Sequence, residues 1–229
     1  MHIKGVVFDL DHTLYDRDAA DRWAMGRYFD EYPAHFSKDC TRETAREAMV
    51  AAEHGFAHRG WPLIVENLTA RGVFAAPPEA RAFCDYFQDA YIAQAKLFPF
   101  VLPTFQALRD AGIKLGLITN GREARQRQKI AAFGLADAFD LILFGCSPDV
   151  AKPGRALFDE MSDALSIPPE NLMYVGDNPR NDVEGSRRAG YTPVWVRTMP
   201  WDFPEIEPPV LQVDGIDELP GIIARIDHT

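Results

Sequence analysis

The sequence predicts an α/β fold, a doubly wound parallel sheet with one long all-helical segment inserted near its start. Two observations lead there. Short apolar, β-branched runs recur along the chain, most of them separated by stretches of helical spacing. That alternation builds a parallel sheet covered on both faces. Between about Tyr15 and Leu97 the alternation stops: helical spacing continues, and no convincing strand interrupts it.

Taken in order, Ile3 to Phe8 (IKGVVF) reads as a buried strand that ends at Asp9. In the insert, Ala45, Ala48, Met49, Ala52 and Phe56 recur at helical spacing, as do Phe83, Tyr86, Phe87, Ala90 and Tyr91. Thr41 and Pro78 stand where helices would start. The insert is expected to hold about four helices. After Phe98-Pro99-Phe100, a short helix around Thr104 to Ala111 leads through Gly112 into a strand, Ile113 to Ile118. Further strands are expected at Leu141–Phe144, Leu172–Val175, Pro193–Val196 and Val210–Val213. Leu157, Met161, Ala164 and Leu165 mark one of the intervening helices. The proline-rich stretch from Pro200 to Pro209 reads as a surface loop before the last strand and a closing helix.

The chain has 229 residues, enough for one large domain or for a core with a smaller inserted one. Apolar residues make up 47% and charged residues 25%, which excludes collagen-like, coiled-coil and disordered readings. The formal net charge of −10 sets up a field that repels nucleic acid backbones and anionic membranes. No nucleic acid polymer and no membrane is therefore expected as a partner. The same field repels a phosphorylated small molecule, so a phosphate site must draw on local positive charge. Cys40, Cys84 and Cys146 are far apart and show no zinc-site or disulfide spacing. No apolar run approaches membrane-spanning length, and the N-terminus lacks the pattern of a signal peptide. A cytoplasmic location is the expectation.

The first four strands are each followed by polar residues. Strand one runs into Asp9-Leu10-Asp11-His12-Thr13, and the second into Thr119-Asn120-Gly121. The third precedes a loop carrying Lys152-Pro153, and the fourth ends in Gly176-Asp177-Asn178-Pro179-Arg180-Asn181-Asp182. In a parallel sheet all carboxyl ends share one edge, where ligands bind, so four clusters remote in sequence should converge. Asp9, Asp11, Asp177 and Asp182 would then repel one another unless compensated. Such hard oxygen donors suit Mg²⁺, which keeps waters and a substrate phosphate in its shell. Lys152, the Thr119 hydroxyl and the backbone N–H groups of Asn120 and Gly121 would complete an anion cradle. Positioning and charge stabilisation are what phosphoryl transfer requires.

These clusters resemble the four motifs of the haloacid dehalogenase-like hydrolases. DLDHT resembles the first, DxDxT. ITNG resembles the second, AKP the third and GDNPRND the fourth, GDxxxxD. They occur in family order across nearly the whole chain. Any one alone would be weak: Lys152 by itself reads as a solvated lysine, and the aspartates as turn or cap residues. The ordered set is specific.

The resemblance implies a Rossmann-like core formed by residues 1–14 and 98–229, with residues 15–97 as an α-helical cap domain that excludes water and selects substrate. It implies a phosphatase acting on a small phosphorylated metabolite with Mg²⁺ as cofactor. Asp9 would be the nucleophile, forming an aspartyl-phosphate, and Asp11 the general acid and then base. Thr119 would hold the phosphoryl group and Lys152 would neutralise Asp9 and the phosphate. Asp9, Asp177 and the backbone carbonyl of Asp11 would ligate the metal. Asp182 would anchor Lys152 or a metal-bound water, and Thr13 would support the loop. His12 occupies a variable position and receives no role. Arg122 and Arg180 beside the motifs, and Arg17, Arg22 and Arg59 in the insert, are candidates for substrate contact.

Two other reactions share the fold. A haloacid dehalogenase has no leaving oxygen to protonate and lacks the second aspartate, so Asp11 argues against it. A phosphomutase shares both aspartates and stays open. The resemblance allows a monomer or a homodimer and does not name the substrate.

Overall fold

The computed structural model describes residues 2–56, 60–199, 201, 205–209 and 211–227. Its strands are β1 (Gly5–Phe8), β2 (Lys114–Asn120), β3 (Leu141–Gly145), β4 (Leu172–Gly176), β5 (Thr192–Val196) and β6 (Leu211–Val213). They form one sheet in the order β3-β2-β1-β4-β5-β6, and every neighbouring pair is parallel. Val210, expected to open the last strand, and Pro200 of the preceding loop lie outside the described residues. The central strands β1 and β4 are buried along their whole length, which is why they read as unbroken apolar runs.

The chain steps outward from β1 to β2 to β3, then returns to begin β4 on the other side of β1. The strand order therefore reverses between β1 and β4, the position where open α/β sheets bind ligands. Phe8 is in register with Val175, and the Asp9 amide donates to the Val175 carbonyl at 2.9 Å. The residues that leave β1 and β4 thus start side by side.

The chain divides into two compact units, Met1–Tyr15 with Lys96–Thr229, and Asp16–Ala95. Tyr15, Lys96 and Leu97 group with the sheet. Tyr15 bridges to Leu97, and the Phe98 amide donates to the Leu14 carbonyl at 3.0 Å, so the outgoing and returning chains run side by side.

The inserted unit holds α1 (Arg17–Glu31), α2 (Arg42–Phe56), α3 (Trp61–Ala70) and α4 (Ala80–Gln94). Asp16 caps α1 by accepting from the Ala19 amide at 2.9 Å, and the Thr41 hydroxyl accepts from Thr44 at the start of α2. At α4 the cap is Glu79, which accepts from Arg81 and Ala82; Pro78 sits one residue too early to start the helix. Ala20 and Ala24 of α1 share a buried cluster with Ala45, Ala48 and Ala52 of α2, small residues that let two helices approach closely. Larger side chains fill the rest: Met25, Met49, Ile64, Leu68, Phe83 and Phe87. Among the described residues, this unit has only an isolated bridge, Phe36 to Phe74, in place of a strand.

The sheet is covered by α5 (Val101–Asp110), α6 (Glu123–Ala132), α7 (Ala156–Leu165), α8 (Gly185–Ala189) and α9 (Leu219–Asp227). Leu157, Phe158, Met161 and Leu165 form one stripe of α7 and pack on Val7, Ile118, Leu143 and Tyr174. Because strand side chains alternate, Phe8 points to the opposite face, where its ring lies 5.1 Å from that of Phe105 in α5. Both faces are therefore covered. Among the described residues no helix is long and apolar enough to cross a membrane.

Phe158 is fully buried and meets Tyr174 and Tyr191 edge-on, at 5.1 and 5.7 Å between ring centroids. Phe158→Ala is expected to destabilise the fold by about 3–5 kcal/mol through lost burial and a residual cavity. Urea denaturation of the two proteins measures the difference.

Candidate active site

At the carboxyl edge of the sheet the predicted residues form two hydrogen-bonded sets. The first is centred on Lys152, in the loop between β3 and α7. Its ammonium donates to Asp9 Oδ1 at 2.6 Å, Tyr174 Oη at 2.7 Å and Asp182 Oδ1 at 2.8 Å. The Tyr174 hydroxyl in turn donates to the Ile118 carbonyl at 3.0 Å. The loop's backbone is clamped by Asn120, whose amide donates to the Lys152 carbonyl and accepts from the Lys152 N–H, each at 2.9 Å. Asn120 thus fixes the lysine from the end of the neighbouring strand.

After β4 the chain makes a π-helical turn, Pro179–Glu184. Asn178 caps it by accepting from Arg180 and Asn181. The turn brings Asp182 back beneath Gly176, close enough that a β-carbon at Gly176 would collide with the Asp182 carboxylate. Asp182 Oδ2 accepts from the Asn178 amide at 2.9 Å while Oδ1 receives Lys152. Asp177 is held differently: the Trp201 indole donates to its Oδ2 at 2.8 Å, and the Trp195 indole donates to its carbonyl at 2.8 Å.

The second set is centred on Asp11. The Lys129 ammonium lies 2.7 Å from Oδ1 and 3.0 Å from Oδ2, and the Tyr15 hydroxyl donates to Oδ1. The Gln126 amide donates to Asp11 Oδ2 at 3.2 Å, to the Asn120 carbonyl at 3.1 Å and to the Thr119 hydroxyl. His12, between the two aspartates, adopts a left-handed conformation (φ 62°), and its carbonyl accepts from the Thr198 hydroxyl at 2.6 Å.

Electrostatics separate the sets. Asp9, Asp177 and Asp182 each offer a carboxylate oxygen, and these oxygens lie within 4.8 Å of one another. Ionised, they set three negative charges against the single positive charge of Lys152, whereas Asp11 and Lys129 balance each other. Burial, reinforced by Asp182 and Asp11 and opposed by Lys152, pushes the Asp9 carboxyl from 3.8 up to about 7. Burial and the charges of Asp182 and Asp9 hold Asp177 well above the usual carboxylate range. Burial pulls Lys152 down, but Asp182 and Asp9 overcome it and keep the ammonium charged. A divalent cation fits this donor set: three hard oxygens, buried, carrying two uncompensated charges.

Some expectations change. The Gly121 amide does not face an anion; it donates to the Gly145 carbonyl at 3.0 Å, because the β2–β3 pairing continues to the end of β2. Arg17 and Arg22 are engaged within the helical unit, with Glu53 at 2.5 Å and Glu47 at 2.6 Å. Arg122 and Arg180 are exposed. Arg59 lies outside the described residues. Several contributors carried no motif: Tyr15, Tyr174, Trp195, Thr198 and Trp201, and in α6 Gln126 and Lys129. For the last two a signal existed. Gln126, Lys129 and Ile130 share one face of an otherwise polar helix, so the face that buries Ile130 must bury both polar residues.

Residues 3–190 match the haloacid dehalogenase-like hydrolase family, and the chain belongs to it. Proteins named as phosphatases are among the relatives of this chain. It is 29% identical over 237 residues to the glyceraldehyde 3-phosphate phosphatase of Methanopyrus kandleri, covering 98% of each chain. A shorter match, 36% identical over 138 residues, covers 58% of this chain and 53% of the phosphoserine phosphatase of Thermus thermophilus. The L-2-haloacid dehalogenase of Xanthobacter autotrophicus has the same fold, with a TM-score of 0.73 and 18% identity over 97% of this chain and 98% of that one.

The raised Asp9 value carries a sign for stability. Between pH 3.8 and about 7 the native protein holds a proton that the unfolded chain releases, so stability falls as pH rises through that window. The metal-free protein is expected to melt at a higher temperature at pH 5 than at pH 7.5. Added Mg²⁺ should recover most of the difference by binding the folded state. Thermal melts in EDTA and in Mg²⁺ at the two pH values check both statements.

Proposed function

We propose that the protein is a Mg²⁺-dependent phosphomonoester hydrolase that works through an aspartyl-phosphate on Asp9. The observation that carries this reading is the contrast between two neighbouring aspartates. Asp9 shares a lysine with a buried acidic cluster, while Asp11 is held apart by its own lysine. With a cation bound among the acidic cluster Asp9 would be ionised, the form a nucleophile needs, while the Asp11 side chain stays outside that cluster.

Asp9, Asp177 and the Asp11 carbonyl would hold the metal, with Asp182 supporting through Lys152. Bound there, the cation would keep Asp9 ionised and neutralise charge on the phosphoryl group. An Asp9 oxygen attacks phosphorus, the ester P–O bond breaks, and the departing oxygen takes a proton from Asp11. A water then attacks the phosphorus of the aspartyl-phosphate and gives its proton to Asp11. The bond to Asp9 breaks, releasing inorganic phosphate and restoring both carboxyl groups. Lys152 and the Thr119 hydroxyl hold the phosphoryl oxygens throughout.

The substrate class is a small phosphorylated metabolite. Glyceraldehyde 3-phosphate and phosphoserine, named for two relatives, are short alkyl phosphates and the natural first probes. Substrate choice is assigned to the helical unit, acting as the cap. The dehalogenase reading has a fold likeness behind it but leaves Asp11 and the acidic cluster without a task.

Phosphate release from p-nitrophenyl phosphate, with Mg²⁺ and with EDTA, tests the class. Release should require Mg²⁺ and vanish in Asp9→Asn; release that survives the substitution would remove Asp9 as nucleophile. Asp11→Asn should lower turnover of alkyl esters by ~10²–10⁴-fold. Mg²⁺ affinity by calorimetry should stay near the wild-type value, since the proposed ligand is the backbone carbonyl.

A further inference from the structure

Lys129 is buried, at 4% exposure, on a helix whose one large apolar anchor on that face is Ile130. Stability alone does not call for a lysine there. Taking an ammonium out of water carries a penalty of several kcal/mol, and a buried ion pair is often no more stable than apolar residues of similar volume. What Lys129 does supply is geometry. Its ammonium reaches both oxygens of Asp11, and Gln126, one turn earlier on the same face, reaches one of those oxygens as well as Thr119 and Asn120. A carboxylate with both oxygens engaged cannot rotate freely about its terminal bond.

We propose that Lys129, with Gln126 beside it, is a positioning residue for Asp11, holding the carboxyl group in the orientation from which it transfers protons to and from the reacting oxygens. The inference rests on the phosphatase reading above. The Gln126 amide nitrogen also lies against the Thr119 hydroxyl. One helix face thus contacts both the proton-transfer group and the hydroxyl of the phosphate cradle. Neither residue lies in a family motif, and neither hydrogen-bonds to Lys152 or Asp9.

The test separates esters by their need for a proton. An alkyl phosphate expels a poor alkoxide leaving group that must be protonated, whereas p-nitrophenolate departs without a proton. Wild type, Lys129→Met and Asp11→Asn are compared on p-nitrophenyl phosphate and on glyceraldehyde 3-phosphate, phosphoserine and phosphoglycolate. Misplacement of a reacting group costs on the order of 10²-fold. Lys129→Met should therefore lose about that much in kcat/KM on the alkyl ester that wild type turns over fastest, because kcat/KM reads the reaction only as far as the transfer to Asp9, before the water step that uses Asp11 for every ester. Its loss in kcat/KM on p-nitrophenyl phosphate should be much smaller. In the Asp11→Asn background the same substitution should cost almost nothing more, because a residue acting through Asp11 has no effect once Asp11 is disabled.

Equal losses in kcat/KM on both ester types, or full additivity with Asp11→Asn, would show Lys129 to be structural and overturn the proposal. A wild type active on p-nitrophenyl phosphate but on none of the alkyl esters overturns it too, since the enzyme then protonates no leaving group and the expected contrast between esters is absent. A wild type silent on all four esters instead removes the phosphatase reading beneath it. If Lys129→Met does not fold, Lys129→Gln carries the same comparisons.

Discussion

The Lys152 ammonium is surrounded by Asp9, Asp182 and Tyr174, and each of these comes from a different piece of chain: the end of β1, the turn after β4, and β4 itself. A buried cation persists only when acceptors replace its lost hydration. The acceptors are in place only if β1 and β4 are neighbours in register and the π-helical turn folds back under Gly176. Asn120 adds the fourth piece, binding the lysine's own backbone from β2. Strand order, the missing side chain at residue 176 and the amide at residue 120 therefore serve the same end, which is to bring one lysine to one aspartate.

Around that lysine the charges do not cancel, and they cancel around Lys129. The excess of carboxylate in the first set raises Asp9 and Asp177 and makes the site a receptor for a cation. The balance in the second set makes Asp11 a fixed group with defined neighbours. Two aspartates separated by one residue are thereby placed in opposite electrostatic settings. Just after Asp11 the chain passes through His12, whose left-handed backbone offers its carbonyl to the Thr198 hydroxyl.

Most of the fold was legible in the sequence. Parallel strands buried on both faces are continuous apolar runs, as β1 and β4 are, and the six strands of the described residues were all visible, including the short edge strand at Leu211–Val213 with its exposed Gln212. The convergence of Asp9, Thr119, Lys152 and Asp177 followed from strand ends alone. Residues that act from within regular elements were harder to read. Tyr174 looks like any aromatic in a strand, and Lys129 like any lysine in a polar helix; only the three-dimensional neighbour assigns each its task. The Gly121 amide was misjudged for a related reason. A strand end and a helix start look alike in sequence, but in a strand the amide is already engaged by the partner strand.

The outgoing and returning chains at Tyr15 and Leu97 run side by side, and this bears on the order of folding. β1 and β2 are neighbours in the sheet yet separated in sequence by the whole helical unit, a pairing whose loop-closure entropy opposes early formation. The helical unit closes on itself through local contacts, its first and last helices packed together. Once it has formed, its two ends lie near each other, and the long loop between β1 and β2 behaves as a short one. The insertion thus acts as a chain-shortening device, converting a pairing across the whole helical unit into a local event.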